Sequence, residues 1–283
     1  MKNFFVKTHG LGNEYVILNH SDLDFKLTID QIKLICNVHY GIGSDGILLK
    51  VPGKNAEFGL RIFNPDGSEA EKSGNGIRIF SKYLYDYGFA KQKIFAIETL
   101  GGIVTSEILE EKNGKAFMIK VDMGKAIFKS SAIPVKWHKE ECFGEVLAIK
   151  DKKYLMHCVS VGNPHCVILV DHLDVEEIKE YGSFIENNAL FPNRINVQFV
   201  KVLSRKEVEI IIWERGAGYT LASGSSSSAV ASAMLKKGLI DRNVTIKMPG
   251  GKLNIEIDEA WNIRMTGEVR EIASGTLSDE LIG

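Results

Sequence analysis

The sequence predicts an α+β protein of two tandem, pseudo-symmetric domains, each a mostly antiparallel sheet around a central helix. Three observations carry this. Motifs recur at nearly one interval, each half opens an amphipathic helix with a small hydroxyl residue and a glycine, and short apolar runs lie between turn signals. The recurrence is the strongest. Gly162-Asn163 follows Gly12-Asn13 by 150 residues (162 − 12), Glu214 follows Asn64 by the same interval after another apolar strand, and Ser223 follows Ser73 likewise. The pair Gly250-Gly251 follows Gly101-Gly102 by 149. Four coincidences at nearly one offset mark a duplication. The domains are expected at 1–130 and 131–283, with the crossover in the mixed, charged segment 133–145 and the C-terminal strand free to join the first. Two related domains facing each other bring both helix starts to one cleft, a usual place for a ligand.

Each element has a local reason. Residues 4–18 read as two short strands joined by His9-Gly10-Leu11-Gly12-Asn13. Residues 27–38 read as a helix with Thr28 as cap. Gly41-Ile42-Gly43-Ser44-Asp45-Gly46 is a tight glycine loop that leads into a strand over 47–50. It matches a dinucleotide fingerprint only superficially, because it precedes a strand and opens no helix. A strand over 59–63 meets the turn Asn64-Pro65-Asp66-Gly67, where proline, aspartate and glycine each favour reversal. After Ser73, Ile77, Phe80, Leu84 and Tyr85 recur at helical spacing; after Ser223, Val230, Ala231, Met234 and Leu235 do the same. Strands follow at 94–99 and 102–109, and Asn113-Gly114 predicts a hairpin onto 116–121.

Composition narrows the function classes. The 283 residues are 45% hydrophobic and 25% charged, with a formal net charge of −1 and interspersed signs. That suits a soluble globular chain and leaves no basic stripe for nucleic acid. No apolar run reaches the roughly 18 residues a membrane span needs, and the N-terminal apolar stretch ends too soon for a signal peptide. Cys36, Cys142, Cys158 and Cys166 lack metal-ligand spacing and read as reduced thiols of a cytoplasmic protein. No metal is expected.

The two helix starts carry the chemistry. A helix N-terminus leaves backbone N–H groups without partners and holds the positive end of the macrodipole, so it favours a carboxylate or phosphate. Ser73 and Ser223 are the natural N-caps of these helices, and that alone would account for them. Two equivalent groups on opposite sides of a small molecule also suit a reaction of mirror symmetry. Taking a proton from one face of a carbon and returning one to the other inverts the centre, which needs two acid/base groups and an anion hole.

The motifs His9-Gly10-Leu11-Gly12-Asn13, Phe63-Asn64-Pro65-Asp66-Gly67, Ser73-Gly74-Asn75-Gly76-Ile77-Arg78, Gly162-Asn163-Pro164-His165, Phe191-Pro192-Asn193-Arg194-Ile195-Asn196-Val197 and Glu214-Arg215-Gly216-Ala217-Gly218 resemble, in order and over nearly the whole chain, those of diaminopimelate epimerase. The resemblance implies a cofactor-independent isomerase that interconverts LL- and meso-diaminopimelate for lysine and peptidoglycan, in a fold of two pseudo-symmetric α+β domains. It implies that Asn64, Asn163, Asn196, Glu214 and Arg215 bind the distal amino and carboxylate groups and that Asn13 meets the proximal end. Backbone N–H groups around Gly74, Asn75, Gly224 and Ser225 would hold the proximal carboxylate. Arginine can grip a carboxylate bidentately, while glutamate and asparagine carbonyls accept from an ammonium. Taken singly, each asparagine reads as a turn former and Glu214–Arg215 as a surface pair. His165 reads equally as a structural histidine. A homodimer is common in the family.

One departure bears on mechanism. By resemblance, the family's two acid/base residues are cysteines, and they fall at Ser73 and Ser223. A thiol has a reference pKa of about 8.5, which helix starts lower; a hydroxyl is far less acidic and needs an adjacent base. Lys72 is a sequence neighbour of Ser73, and no histidine or lysine lies close to Ser223 in the sequence. Turnover is therefore expected to be impaired. Three readings stay open: an epimerase with both cysteines replaced, a natural serine-bearing isomerase or dehydratase, and a non-catalytic amino-acid-binding protein. Gly224-Ser225-Ser226-Ser227-Ser228 also departs from the family's usual residues there, which favours natural serines.

Overall fold

The computed structural model describes residues 1–282. It is mostly sheet with few helices, and the chain divides into two compact units, Met1–Asp122 with Thr266–Gly283, and Met123–Met265.

In the first unit β1 (Phe4–Gly10) and β2 (Asn13–Asn19) form an antiparallel hairpin. Helix α1 (Ile29–Cys36) is shorter at both ends than the 27–38 its pattern predicts. Thr28 Oγ1 caps Gln31 N and Gln31 Oε1 accepts from Thr28 N, so Leu27 stays outside; the Asn37 N–H bonds Leu34 O and closes the helix. The glycine loop then feeds β3 (Ile47–Pro52), parallel to β2 and antiparallel to β4 (Phe58–Phe63). Only glycine fits at residue 46: its φ is +156°, and a Cβ there would lie 2.3 Å from Phe63 O. Gly67 N bonds Asn64 O at 2.9 Å, closing the Pro-Asp-Gly turn before β5 (Glu69–Ala70). Helix α2 (Gly74–Asp86) follows, then β6 (Ile94–Thr99), β7 (Gly102–Lys112) and β8 (Lys115–Lys125). β6 pairs parallel with β4, and β7 antiparallel with β6 and β8. Both hairpin strands outrun the expected 102–109 and 116–121.

α2 is the central helix of this unit. Every residue from Gly74 to Leu84 is buried, and it packs on β1, β2 and β7. Side chains such as Ile77 and Phe80, 0% exposed, each stabilise by roughly 1.5–3 kcal/mol on burial. Its far end is pinned by Lys82 and Asp86, a buried pair 2.7 Å apart whose remaining bonds go to Ala116 O and Ala116 N.

The second unit repeats this order. β9 (Phe143–Ile149) pairs with β10 (Lys152–Ser160), and β10 with β11 (Pro164–Leu169), both antiparallel. Helix α3 (Val175–Glu186) is capped by Asp174. β12 (Asn196–Ser204) runs parallel to β11, and β13 (Glu207–Glu214) runs antiparallel to β12 and to β14 (Gly218–Thr220). Helix α4 (Gly224–Lys236) precedes β15 (Asn243–Met248), β16 (Gly251–Ile257) and β17 (Asn262–Glu268). β15 is parallel to β13, as β6 is to β4. The last strand, β18 (Arg270–Thr276), pairs antiparallel with β1 as β9 does with β10, and α5 (Asp279–Ile282) follows it. No helix of the described residues is long and apolar enough to cross a membrane.

Candidate functional site

α2 and α4 are both 13 residues long and start 150 residues apart, each on a serine N-cap with extended backbone. At the α2 start, Ser73 is half-buried. Its Oγ accepts from Gly76 N at 3.0 Å and lies 3.4 Å from the Tyr15 hydroxyl, which β2 carries inward. Asn75, buried in the first turn, donates from Nδ2 to Asn13 Oδ1 at 3.2 Å. Asn13 in turn donates from Nδ2 to Asp45 Oδ2 at 2.8 Å, and Glu14 N donates to the same oxygen at 2.9 Å. Behind Asn75 lies Arg78, 0% exposed, donating from Nη2 to Asn75 Oδ1 at 2.5 Å and from Nη1 to Glu268 O at 3.3 Å. Burial lowers the Arg78 pKa to about 10 against the opposing pull of Glu268, so the guanidinium stays charged at neutral pH. Burial also lowers the Lys72 amine, with Asp122 opposing.

At the α4 start, Ser223 is buried; its Oγ accepts from Ser226 N and lies 3.4 Å from Ser225 Oγ. The serine run is internally satisfied. Ser227, Ser228 and Ser232 donate back to the carbonyls of Ser223, Gly224 and Ser228 at 2.7–2.9 Å. Asn163, equivalent to Asn13 by the repeat, reaches Ser225 Oγ at 3.5 Å and contacts His165 Nε2 through Oδ1 at 2.9 Å. His165 Nδ1 meets Gln198 Nε2, which also donates to Ser226 Oγ at 3.0 Å. Burial drives the His165 pKa down to about 3, outweighing the Gln198 bond, so the ring is neutral and serves as a hydrogen-bonding spacer.

The corner after β13 carries the polar pair. Asn196, buried at the start of β12, donates to Pro164 O at 2.9 Å and accepts from Arg215 N at 3.0 Å, tying that corner to the Asn163 turn. The Arg215 guanidinium donates to Asn193 O at 3.0 Å and stays exposed; Glu214 is half-buried. Glu186 at the end of α3 fixes the corner from below. Its carboxylate accepts from Trp213 Nε1 at 2.8 Å, Gly216 N at 2.9 Å and Arg194 Nη1 at 3.2 Å.

Each unit thus gathers part of the expected set. The first brings Asn13, Ser73, Gly74 and Asn75 together, while Asn64 sits at its own turn with Nδ2 on Ser68 Oγ. The second brings Asn163, Asn196, Arg215, Ser223 and Ser225 together, with Glu214 and Gly224 as chain neighbours of Arg215 and Ser223. Sequence reasoning gave no part to Tyr15, Asp45, Arg78, Glu186 or Gln198. For Tyr15 a signal existed: it lies 150 residues before His165, inside the duplicated motif. Within its own unit, among the described residues, neither the Ser73 nor the Ser223 hydroxyl hydrogen-bonds an imidazole, amine or carboxylate. No cluster of three or more metal-ligating side chains occurs among them either.

Comparison with known proteins fits these halves. Residues 5–129 and 157–272 match the family model described as diaminopimelate epimerase. A protein of Nostoc sp. named diaminopimelate epimerase 2 is 51% identical over 278 residues, covering 98% of this chain and 96% of the relative. The diaminopimelate epimerase of Leptospira biflexa is 39% identical over 276 residues, 97% of this chain and 99% of the relative. Among solved structures, a hydroxyproline epimerase from Agrobacterium vitis superposes with a TM-score of 0.72 at 11% identity, covering 96% of this chain and 91% of that one. A PhzF-family phenazine biosynthesis protein from Bacillus anthracis superposes at 0.70 with 17% identity, covering 98% and 100%. These two likenesses speak to the fold alone. With two capped helix starts at the repeat interval and relatives matched over nearly their full length, the chain belongs to the diaminopimelate epimerase family.

Proposed function

We propose that this chain is a diaminopimelate epimerase-type isomerase that binds LL- and meso-diaminopimelate without a cofactor, with Ser73 and Ser223 at its two acid/base positions and slow turnover as the result. The observation that carries the reading is the pair of N-capped helix starts, one per unit, in a chain that belongs to this family. Backbone N–H groups around Gly74, Asn75, Gly224 and Ser225 hold the α-carboxylate, and Asn13 meets the same end. Asn64, Asn163, Asn196, Glu214 and Arg215 take the distal ammonium and carboxylate. The group at one cap removes the α-proton while the other returns one to the opposite face, and exclusion of water keeps the carbanion from being quenched.

The serines set the rate. A hydroxyl becomes a base only when a neighbour removes its proton. The Ser73 and Ser223 oxygens instead face backbone N–H groups and further hydroxyls, which can steady an oxyanion but remove no proton from the hydroxyl. The same surroundings support a second reading, a natural amino-acid-binding protein with an intact recognition set. The protein is proposed to act in the cytoplasm as a homodimer, in lysine and peptidoglycan biosynthesis. Isothermal calorimetry with meso-diaminopimelate tests recognition. Saturable binding, weakened tenfold or more by Arg215→Ala, is expected; no heat with either the LL or the meso isomer would overturn the assignment.

A further inference from the structure

Amide side chains can usually be turned end for end without changing their shape, so which end an asparagine presents to a ligand depends on its partners. In the first unit the partners leave no choice. Arg78 can only donate, so the atom of Asn75 that faces it at 2.5 Å is Oδ1, and the Asn75 amide nitrogen turns toward residue 13. A carboxylate can only accept, so the Asn13 atom facing Asp45 at 2.8 Å is Nδ2, and Oδ1 turns toward Asn75. The two ends agree on one direction: Glu268 O and Asn75 accept from Arg78, Asn75 donates to Asn13, and Asn13 donates to Asp45. The second unit lacks this device. Ser228 stands at the position equivalent to Arg78 and bonds back to Gly224 O, Ser225 replaces Asn75, and the chain through Asn163 passes by the neutral His165 to Gln198 and Ser226 without a charged group.

We propose that Arg78 and Asp45 are positioning residues that lock the polarity of the Asn75–Asn13 pair and so commit the α2 end of the site to a carboxylate. Locked this way, Asn75 and Asn13 each keep one further amide N–H, while each amide oxygen already accepts a hydrogen bond, Asn75 Oδ1 from Arg78 and Asn13 Oδ1 from Asn75. The Asp45 carboxylate is itself engaged by Asn13 Nδ2 and Glu14 N. The amide donors left over, with the backbone N–H groups of the α2 start, favour a carboxylate over an ammonium. This also accounts for an arginine with no exposed surface in the middle of a helix. The inference rests on the proposed function only for the identity of the ligand; the lock itself is a property of the free protein.

The test uses the unaltered chain beside Arg78→Met, Arg78→Lys and Asp45→Ala, and reads the assigned ¹H–¹⁵N side-chain amide signals of Asn13 and Asn75, then calorimetry with meso-diaminopimelate. Lysine is also a donor-only cation, so Arg78→Lys is expected to keep both amide signals and to bind within about threefold of the unaltered chain. Arg78→Met is expected to shift the Asn13 amide signals, which Arg78 reaches through Asn75, and to weaken binding tenfold or more. Asp45 is exposed, so Asp45→Ala decides the matter if Arg78→Met does not fold; it is expected to shift the Asn75 signals from the opposite end. Unchanged Asn13 and Asn75 signals in a folded Arg78→Met or Asp45→Ala protein would overturn the lock. Failure of the unaltered chain to bind diaminopimelate would overturn the proposed function, while the amide signals would still decide the lock.

Discussion

Replacing Glu186 by alanine withdraws one carboxylate from three donors, and the structure allows the cost to be worked out. Glu186 is 4% exposed, and its oxygens accept from Trp213 Nε1 and Gly216 N at 2.8 and 2.9 Å. A hydrogen bond to a charged group contributes about 1.5–3 kcal/mol, and stranding a partly buried donor costs on the same scale. The Arg194 side chain is mostly exposed, so its bond to the same carboxylate is discounted to about 0–1 kcal/mol. Together these give about 3–7 kcal/mol, or at least roughly 6–12 °C in the melting temperature of a unit this size. The loss falls on the corner that carries Glu214 and Arg215, so meso-diaminopimelate binding is expected to weaken with stability. Calorimetric melting with Trp213 fluorescence reads the first effect and titration calorimetry the second. Glu186→Gln keeps the volume but turns an amide donor toward Gly216 N or Trp213, and is expected to cost at least half as much. A Glu186→Gln protein as stable as the unaltered chain, with unchanged ligand affinity, would refute the reasoning.

Two further outcomes follow from packing and charge. Gly182→Ala places a Cβ 2.6 Å from the Trp213 ring, and overpacking of this kind costs about 1–3 kcal/mol, read as a lower urea midpoint with an unchanged slope. His165, held near pKa 3 when folded against about 6.5 unfolded, contributes stability that is full above pH 6.5 and is lost as pH falls toward 3. Between pH 7 and 4.5 that loss is about 2–3 kcal/mol; urea midpoints for the unaltered chain and His165→Gln should converge on acidification, and the His165 ring signals should not titrate above pH 5.

The parts of the fold legible in the sequence were those with local causes written twice. α2 and α4 announced themselves through serine, glycine and a 3.6-residue apolar period, and the turn after β4 through Asn64-Pro65-Asp66-Gly67. Helix α3 carries the same kind of signal, with Asp174 as cap and Ile178, Tyr181 and Ile185 buried, yet the sequence reading gave it no element. β9 begins inside the segment read only as mixed and charged, because its exposed Val146 and Ala148 blur the apolar alternation. At the site, the residues that touch a helix start were legible from motifs. Their supports were not. Arg78 looks from the sequence like an ordinary helix arginine, Asp45 like a loop aspartate and Glu186 like a surface glutamate. Asp45 and Glu186 take their roles from Asn13 and Trp213, 32 and 27 positions away, and Arg78 takes its own from Asn75 one turn earlier together with the Glu268 carbonyl 190 positions on, a combination no local pattern encodes.

The most direct test of the central claim follows the α-hydrogen of LL- and meso-diaminopimelate by NMR in D₂O, with the unaltered chain beside Ser73→Cys/Ser223→Cys. The account predicts negligible deuterium entry with the serine chain and full exchange with the double variant, as expected of an epimerase site that lacks only its two thiols. Rapid exchange with the serine chain, or no exchange with either protein, would contradict it.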